Sequence, residues 1–458
     1  MLDRIPRYDM HREVPRQHLR GLILVLSLPD LMIHRNRIEK TGMEDIKPPY
    51  LLLCNHNAFM DFKVASRAMW PGRANFVVAI DGFAKREWLL RLIGCICTRK
   101  FTTDLALVYQ LQNVIKRGDI AVMYPEARYS LCGTTAVLPA SLGKLVRTLK
   151  VPVVVLMCHG HHVNSPFYHL PDHGVRDTRA EMKCILRPEE VGKLNAAQIS
   201  DRIRDAFQYD DFRWQQENHC RITYPRRAEG LHKVLYQCSA CGTEYQMSSK
   251  GTQLTCKACG RSWELDEYGS LQPCFADAEQ VKSFSHVPDW YEWERENVRR
   301  EVEAGTYSFS CTARVDALPN ADGYIDIGTA HFAHDMEGFH VTGIVGDTAA
   351  YPSSVHEAGR KRTNLHRSEK EQEKILAEYG GEAYEFRIPA GSIYSCHIEY
   401  DYLGQVGDGV DLNLHDDTFY IYPQDCSFAV TKIALATEEL YQHAARRQRP
   451  SGHLAQQE

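Results

Sequence analysis

Two Cys-x-x-Cys pairs, Cys238 with Cys241 and Cys256 with Cys259, enclose fourteen residues. This is close to the spacing of a four-thiolate zinc ribbon, in which metal binding is itself folding energy. Each pair runs into a glycine, Gly242 and Gly260, which tolerates the positive φ that turns backbone amides towards the sulfurs. Four thiolates complete a tetrahedron with no open position, so the expected cofactor is structural zinc and not a catalytic ion; two redox dithiols are the other reading of the pattern. Cations surround the pairs (Arg226, Arg227, Lys233, Lys250, Lys257, Arg261), but Glu244, Glu264, Asp266 and Glu267 offset them. The module is therefore expected to be a structural clip or docking element rather than a nucleic-acid binder.

The other eleven of the 15 cysteines are scattered, and Cys54, Cys95, Cys97 and Cys158 sit inside apolar runs as small buried hydrophobes do. With no secretory signal ahead of them, a reducing cytosol is the expected compartment. A chain of 458 residues suits two or three domains and rules out a single small binding module. Apolar side chains at 44% and charged ones at 25% exclude disordered, collagenous and membrane-embedded compositions. The formal charge of −5 makes nucleic acid an unexpected partner, so any anion recognition must be local.

No stretch is long enough to cross a bilayer. Residues 21–28 are apolar, Pro29 and Asp30 break the run, and 31–33 resume it only briefly, against the ~18 to 20 residues that a spanning helix needs. Just upstream, Arg12, Arg16 and Arg20 recur every four residues, which on a helix sets three cations on one face. The pattern fits a short helix resting among anionic headgroups, each cation contributing about 1 kcal/mol. A core helix with a solvated basic end fits it equally. Residues 1–45 are thus expected to form an interfacial helical segment of a cytoplasmic protein, peripheral at the inner membrane face.

From 49 to 187 short apolar runs alternate with amphipathic stretches. Residues 50–54, 76–80, 120–124 and 151–157 read as strands, and 63–69, 86–92, 104–117 and 140–149 as helices. The alternation argues for an α/β layer with a largely parallel sheet. A further helix is expected over 195–208, and the polar and aromatic run 209–217 suggests a boundary. Residues 290–302 read as a charged helical connector. Beyond it, 384–388, 392–400, 410–414 and 418–422 alternate apolar and polar residues between Gly, Asp and Pro, as half-buried antiparallel strands do, and 428–446 reads as a closing helix. The polar run 356–379 reads as a solvated helix or a mobile loop. The expected organisation is a helical segment over 1–45, a mixed α/β domain over 46–217, the cysteine module over 228–274 and a β-rich domain over 290–446.

Asn55-His56-Asn57-Ala58-Phe59-Met60-Asp61 follows the first of these strands directly, at the carboxyl edge where α/β proteins place reactive groups. Five residues apart, His56 and Asp61 would point about 140° away from each other on a continuous helix, so a turn must intervene. With 57–60 as that turn, Asp61 folds back to accept a hydrogen bond from one imidazole nitrogen of His56 and leaves the other as a base. A chance pair, with His56 capping the next helix, is the structural alternative. No G-x-S-x-G elbow supplies a protein nucleophile, which leaves that part to a substrate hydroxyl. Two later blocks, Gly94 to Lys100 and Val122 to Ser130, carry cations after apolar segments, and Arg99 and Arg128 can hold a phosphate by bidentate bonds.

Taken in order, these blocks resemble the glycerolipid acyltransferase family, particularly the 1-acyl-sn-glycerol-3-phosphate acyltransferases. That family carries Asn-His-x-Ser-x-x-Asp, then a glycine followed by a basic residue, then Phe-Pro-Glu-Gly-Thr-Arg-Ser, then an apolar Val-Pro-Val strand. The corresponding residues here are Asn55, His56 and Asp61; Gly94 with Arg99 or Lys100; Pro125, Glu126 and Arg128; and Val151-Pro152-Val153. Ala58 stands at the family serine, Arg128 comes one residue early, and Tyr129 takes the place of the family arginine. The usual spacing of the second block falls on Lys100.

The resemblance implies a glycerolipid-acyltransferase-like mixed α/β domain with His56 and Asp61 catalytic and Arg99, Lys100, Glu126 and Arg128 binding substrate. It implies an acyl thioester of coenzyme A or acyl carrier protein as donor, a lysophospholipid at the membrane surface as acceptor, and phosphatidic acid as product. An acyltransferase for another acceptor and a non-catalytic zinc-ribbon adaptor on a degenerate scaffold are the rival expectations. His159, His161 and His162 follow the last strand, but no Asp, Glu or Cys at suitable spacing completes a metal set, so they are expected to solvate a loop.

Overall fold

The computed structural model describes residues 2–102, 104–348, 364–401, 407–424 and 430–448. They fall into two compact units, one of Tyr8–Tyr291 and one of Met1–Arg7 with Glu292–Glu458.

The first unit is built on seven strands: β1 (Arg37–Thr41), β2 (Leu51–Cys54), β3 (Ala74–Ala79), β4 (Ile96–Thr98), β5 (Ile120–Met123), β6 (Val153–His159) and β7 (Arg179–Leu186). Their order is β1-β7-β6-β2-β5-β3-β4, and every pairing is parallel except β6 with β7. Central strand β2 is buried at every residue, as a strand covered on both faces must be. Leu51, Leu53, Val153 and Val155 pack with Leu111 and Val114 of helix Leu105–Lys116, Val146 and Leu149 of Leu142–Leu149, and Ile199 and Ile203 of Ala196–Ala206. The last of these helices opens with a reciprocal cap between Asn195 and Gln198. Gly143 lets it approach closely, since a Cβ there would lie 1.9 Å from the Ala196 carbonyl oxygen.

Four expectations for this unit are corrected. Residues 37–41 form edge strand β1 rather than part of an N-terminal segment ending at 45; their sequence Arg-Ile-Glu-Lys-Thr is mostly exposed and carries no apolar alternation to announce a strand. The apolar run is one helix, Arg20–Ile33, that continues through Pro29. Residues 12–19 are not helical, so Arg12, Arg16 and Arg20 share no helix face. Arg12 instead pairs with Glu87, and Arg16 lies 3.6 Å from Asp119. Finally, the boundary expected over 209–217 is a helix, Asp211–Glu217, capped by Asp210.

The cysteine module adds β8 (Met247–Lys250), β9 (Gln253–Cys256), β10 (Ser262–Leu265) and β11 (Leu271–Pro273), an antiparallel sheet in the order β11-β10-β9-β8. Gln215 and Gln216 bond the Glu267 carbonyl (3.2 Å) and the Ser270 hydroxyl (3.0 Å), and buried Trp263 packs edge-on against Trp290 at 4.9 Å. The module is thereby tied into the first unit.

The second unit holds β12 (Ser308–Ala317), β13 (Ile325–Asp335), β14 (Gly338–Ile344), β15 (Ala383–Pro389), β16 (His397–Glu399), β17 (Gly409–Asn413) and β18 (Thr418–Pro423). All pairings are antiparallel, in the order β15-β14-β13-β12-β18-β17-β16. The β-rich character is as expected, but β12, β13 and β14 were not, and the run 392–400 contracts to the three residues of β16. Arg295 and Arg299, on helix Val287–Glu303, bond Glu438 (2.6 Å) and Glu439 (2.8 Å) of helix Val430–Gln448. Within 356–379, residues 356–363 lie outside the described residues, and Glu369–Tyr379 is a helix opened by a Ser368 cap. Residues 428 and 429 of the expected closing helix also lie outside the described residues.

Candidate active site

Strands β2, β4, β5 and β6 run in one direction, so their carboxyl ends meet at one edge of the sheet. His56 follows β2, Arg99 and Lys100 follow β4, Glu126 and Arg128 follow β5, and His161 follows β6. The turn required between His56 and Asp61 is present, and Asp61 enters the first turn of helix Met60–Ala68. Its Oδ2 accepts from the backbone amides of Asn57 (2.6 Å) and Ala58 (2.9 Å), so the carboxylate folds back to close the turn that precedes its own helix.

The imidazole that Asp61 bonds is that of His161, whose Nδ1 lies 2.6 Å from Oδ1. His56 Nδ1 stands 3.7 Å from Oδ2, an ion-pair distance beyond hydrogen-bond range. The expected fold-back therefore occurs, but its direct bond goes to a residue one hundred positions away. Burial would raise the Asp61 carboxyl; the hydrogen bond from His161 and the nearness of the His161 and His56 imidazoles outweigh it and hold the group well below the usual carboxylate range.

His161 and His162 are buried, which corrects their assignment to a solvated loop. Asn55 joins the ends of β2 and β6 by donating to the Cys158 carbonyl (2.9 Å) and accepting from the Cys158 amide (2.8 Å). Asp211 accepts from the amides of Gly160 and His162 and so sets the turn that delivers His161. Burial pushes the Asp211 carboxyl up to about 6 and the His162 imidazole down to about 3. The one sequence signal for this contact is a cluster of histidines at the carboxyl end of a strand; only the β2–β6 adjacency turns it into a neighbour of Asp61.

Glu126 supports His56 through the backbone. Its Oε2 accepts from the His56 amide (2.9 Å), while Oε1 accepts from the Ala136 amide (2.8 Å) and the Tyr209 hydroxyl (3.2 Å). Burial pushes this carboxyl up to about 7, against the opposing pull of those bonds and the charge of Arg128. The His56 side chain keeps 23% exposure in front of a fully buried Asp61, and its ring lies between Tyr124 (4.2 Å) and Tyr129 (4.1 Å). Tyr129 packs in turn on Phe167 at 5.3 Å. Arg99 and Arg128 are both buried, and Lys100 Nζ donates to Asp81 Oδ2 at 2.7 Å. The structure thus sets Asp61 3.7 Å from the His56 ring and Glu126 on the His56 amide, while Lys100 is engaged with Asp81.

The four module cysteines converge. Sγ of Cys238 lies 3.8 Å from that of Cys259, Cys241 stands at the same distance from Cys256, and all four sulfurs fall within 4.8 Å of one another. Sulfurs bound tetrahedrally at about 2.3 Å from zinc would be about 3.8 Å apart, so the set can hold such an ion. Gly242 (φ +76°) and Gly260 (φ +74°) take the left-handed conformation expected after each pair. Asp61, Cys158 and His161 also bring one donor atom each within 4.8 Å, but the Asp61 oxygens are already engaged and burial keeps the Cys158 thiol protonated.

A family model described as Acyltransferase matches residues 37–159, from the first residue of β1 to the last of β6. Among solved structures, the 1-acyl-sn-glycerophosphate (LPA) acyltransferase PlsC from Thermotoga maritima is similar at 14% identity and a TM-score of 0.32, over 41% of this chain and 78% of that one. No curated protein matches. The family match contains β2, β4, β5 and β6 together with His56, Asp61, Arg99, Lys100, Glu126 and Arg128, the residues gathered at the sheet edge. Residues 37–159 therefore form an acyltransferase domain, by their match to that family model.

Proposed function

We propose that this protein moves a fatty acyl group from an acyl thioester, of coenzyme A or acyl carrier protein, to the hydroxyl of lysophosphatidic acid, giving phosphatidic acid for phospholipid synthesis. The observation that carries this reading is a part-exposed imidazole, His56, backed by a fully buried carboxylate, Asp61, at the carboxyl edge of the sheet. Nδ1 faces Asp61, so Nε2 takes the hydroxyl proton as the oxygen attacks the thioester carbonyl. Collapse of the tetrahedral intermediate expels the thiolate, which recovers the proton from Nε2. Such general-base help is worth ~10²- to 10⁴-fold, and Asp61 stabilises the imidazolium that forms.

Arg99, Lys100 and Arg128 are the groups proposed to draw the acceptor phosphate to this edge, with Glu126 keeping the His56 backbone in place. Structural zinc at Cys238, Cys241, Cys256 and Cys259 would fix the cysteine module. Among the described residues no helix is long and apolar enough to cross a membrane. Attachment at the inner membrane face is supported by helix Arg20–Ile33: Leu22, Val25, Leu26, Met32 and Ile33 are each more than half exposed, while Ile23, Ser27 and Leu31 face inwards.

Tyr129 favours a second reading, transfer to another acceptor, because a phenol ring packs on His56 where the family motif has an arginine. The two are separated by thiol release from long-chain acyl-CoA and acyl carrier protein with lysophosphatidic acid, and with neutral lysolipid or glycerol acceptors, the product being identified by mass. Release driven by lysophosphatidic acid with formation of phosphatidic acid is the expected result. Release driven only by a neutral acceptor would replace it with the second reading, and acceptor-independent release would make the protein a thioesterase.

A further inference from the structure

Asp61 has two histidine neighbours, and the closer one cannot be the base. His161 Nδ1 lies 2.6 Å from Oδ1, yet the ring is only 2% exposed and is out of reach of an acceptor. Among the described residues its Nε2 has no hydrogen-bond partner, so there the bond to Asp61 is the ring's polar anchor and places the proton on Nδ1. The backbone that carries the ring is held in place, because Asp211 accepts from the amides on either side of it and Gly160 packs so closely on Trp214 that a Cβ there would lie 2.7 Å away. His56, in contrast, stands 3.7 Å from the same carboxylate and keeps 23% exposure.

We propose that His161 is a positioning residue for acyl transfer: it holds Asp61 by a short charge-assisted hydrogen bond, so that the carboxylate faces His56 without bonding it until the imidazole takes the substrate proton. This rests on the reading of His56 as the base. A carboxylate already satisfied by two backbone amides and His161 pulls less on the resting His56 ring. Once His56 is charged, the nearby carboxylate stabilises it. The titratable groups around His161 are Asp61 on the first turn of its helix, Cys158 and His159 on β6, and Asp211 on helix Asp211–Glu217.

The test uses the full-length protein with His161→Leu, which removes the donor, and His161→Asn, whose amide can place a donor near the Nδ1 position. The rate at which diethylpyrocarbonate modifies the His56 peptide, followed by mass spectrometry across pH, gives the protonation midpoint of His56 whether or not turnover is seen. His161→Leu is expected to raise this midpoint by roughly one unit and to lower kcat about tenfold with little change in KM, and His161→Asn to restore both. Where His161→Leu does not fold, His161→Gln, which displaces the donor towards Nε2, is read in its place. An unchanged midpoint, or equal loss of activity and thermal stability in the Leu and Asn variants, would overturn the inference. Failure of the base reading itself shows separately, as full transfer by His56→Ala, and would remove the catalytic role of His161 whatever the midpoint does.

Discussion

Ala127 takes φ +55° between Glu126 and Arg128, a conformation that a Cβ makes costly and that the family's third block meets with glycine. Ala127→Gly is expected to stabilise the protein by about 0.5–1 kcal/mol, read from the denaturant midpoint; a lower midpoint would contradict the strain. Glu126 makes a second prediction at this scale. Its carboxyl rises from 4.5 to about 7 on burial, so between those values the folded state keeps a proton that the unfolded state has lost. Wild-type stability relative to Glu126→Gln should therefore fall as pH rises from about 4.5 to about 7 and then level off, and a difference independent of pH would refute the raised value. His56, Asp61 and Glu126 were legible in the sequence because each sits in a short continuous block directly after an apolar strand. His161 was not, because its partner is fixed by sheet order. The three cations of the phosphate expectation were legible as residues but not as contacts, since side-chain partners such as Asp81 for Lys100 leave no pattern along the chain.

Among elements, the parallel strands and their helices followed the apolar alternation, while β1, with its exposed and charged sequence, gave no such signal. Helix Arg20–Ile33 was expected at the membrane surface for its basic flank, but its exposed apolar side supplies the stronger argument. A double substitution, Leu26→Asp with Met32→Asp, removes two side chains that are 68% and 72% exposed. It should weaken binding to vesicles of mixed neutral and anionic phospholipid at least tenfold in a sedimentation assay while leaving the melting temperature in place; unchanged binding would exclude this face. The cysteine module predicts one zinc per chain by elemental analysis and a loss of melting temperature on chelation or in Cys238→Ser. Protein that contains no metal and melts identically with chelator would contradict structural zinc. The paired motif announced this module; its attachment through Gln215, Gln216 and Trp263 was not legible, because the run 209–217 reads as a polar tail until Asp210 is seen to cap it.

At the scale of the whole molecule, the chain carries its acyltransferase domain and cysteine module in one unit and a seven-stranded antiparallel sheet in the other. The N-terminal residues belong to the second unit: Leu2 is buried, and Arg7 bonds the Leu2 and Ile5 carbonyls and Asp417 at 2.8 Å. Arg7→Ala should cost this unit about 1 kcal/mol and speed hydrogen exchange in β17 and β18, whereas unchanged exchange there would show the contact to be without weight. Such a contact between residues 410 positions apart has no sequence signature, and β12 to β14, with charged and small residues among their apolar ones, gave little more.

The central claim is that His56 is the base of an acyl transfer, and it is tested most directly by comparing wild type with His56→Ala, at matched folding, for phosphatidic acid formed from a long-chain acyl thioester and lysophosphatidic acid. The account predicts product from the wild type and a loss of at least ~10²-fold in the variant. Equal product from both proteins, or none from well-folded wild type with either acyl donor, would contradict it.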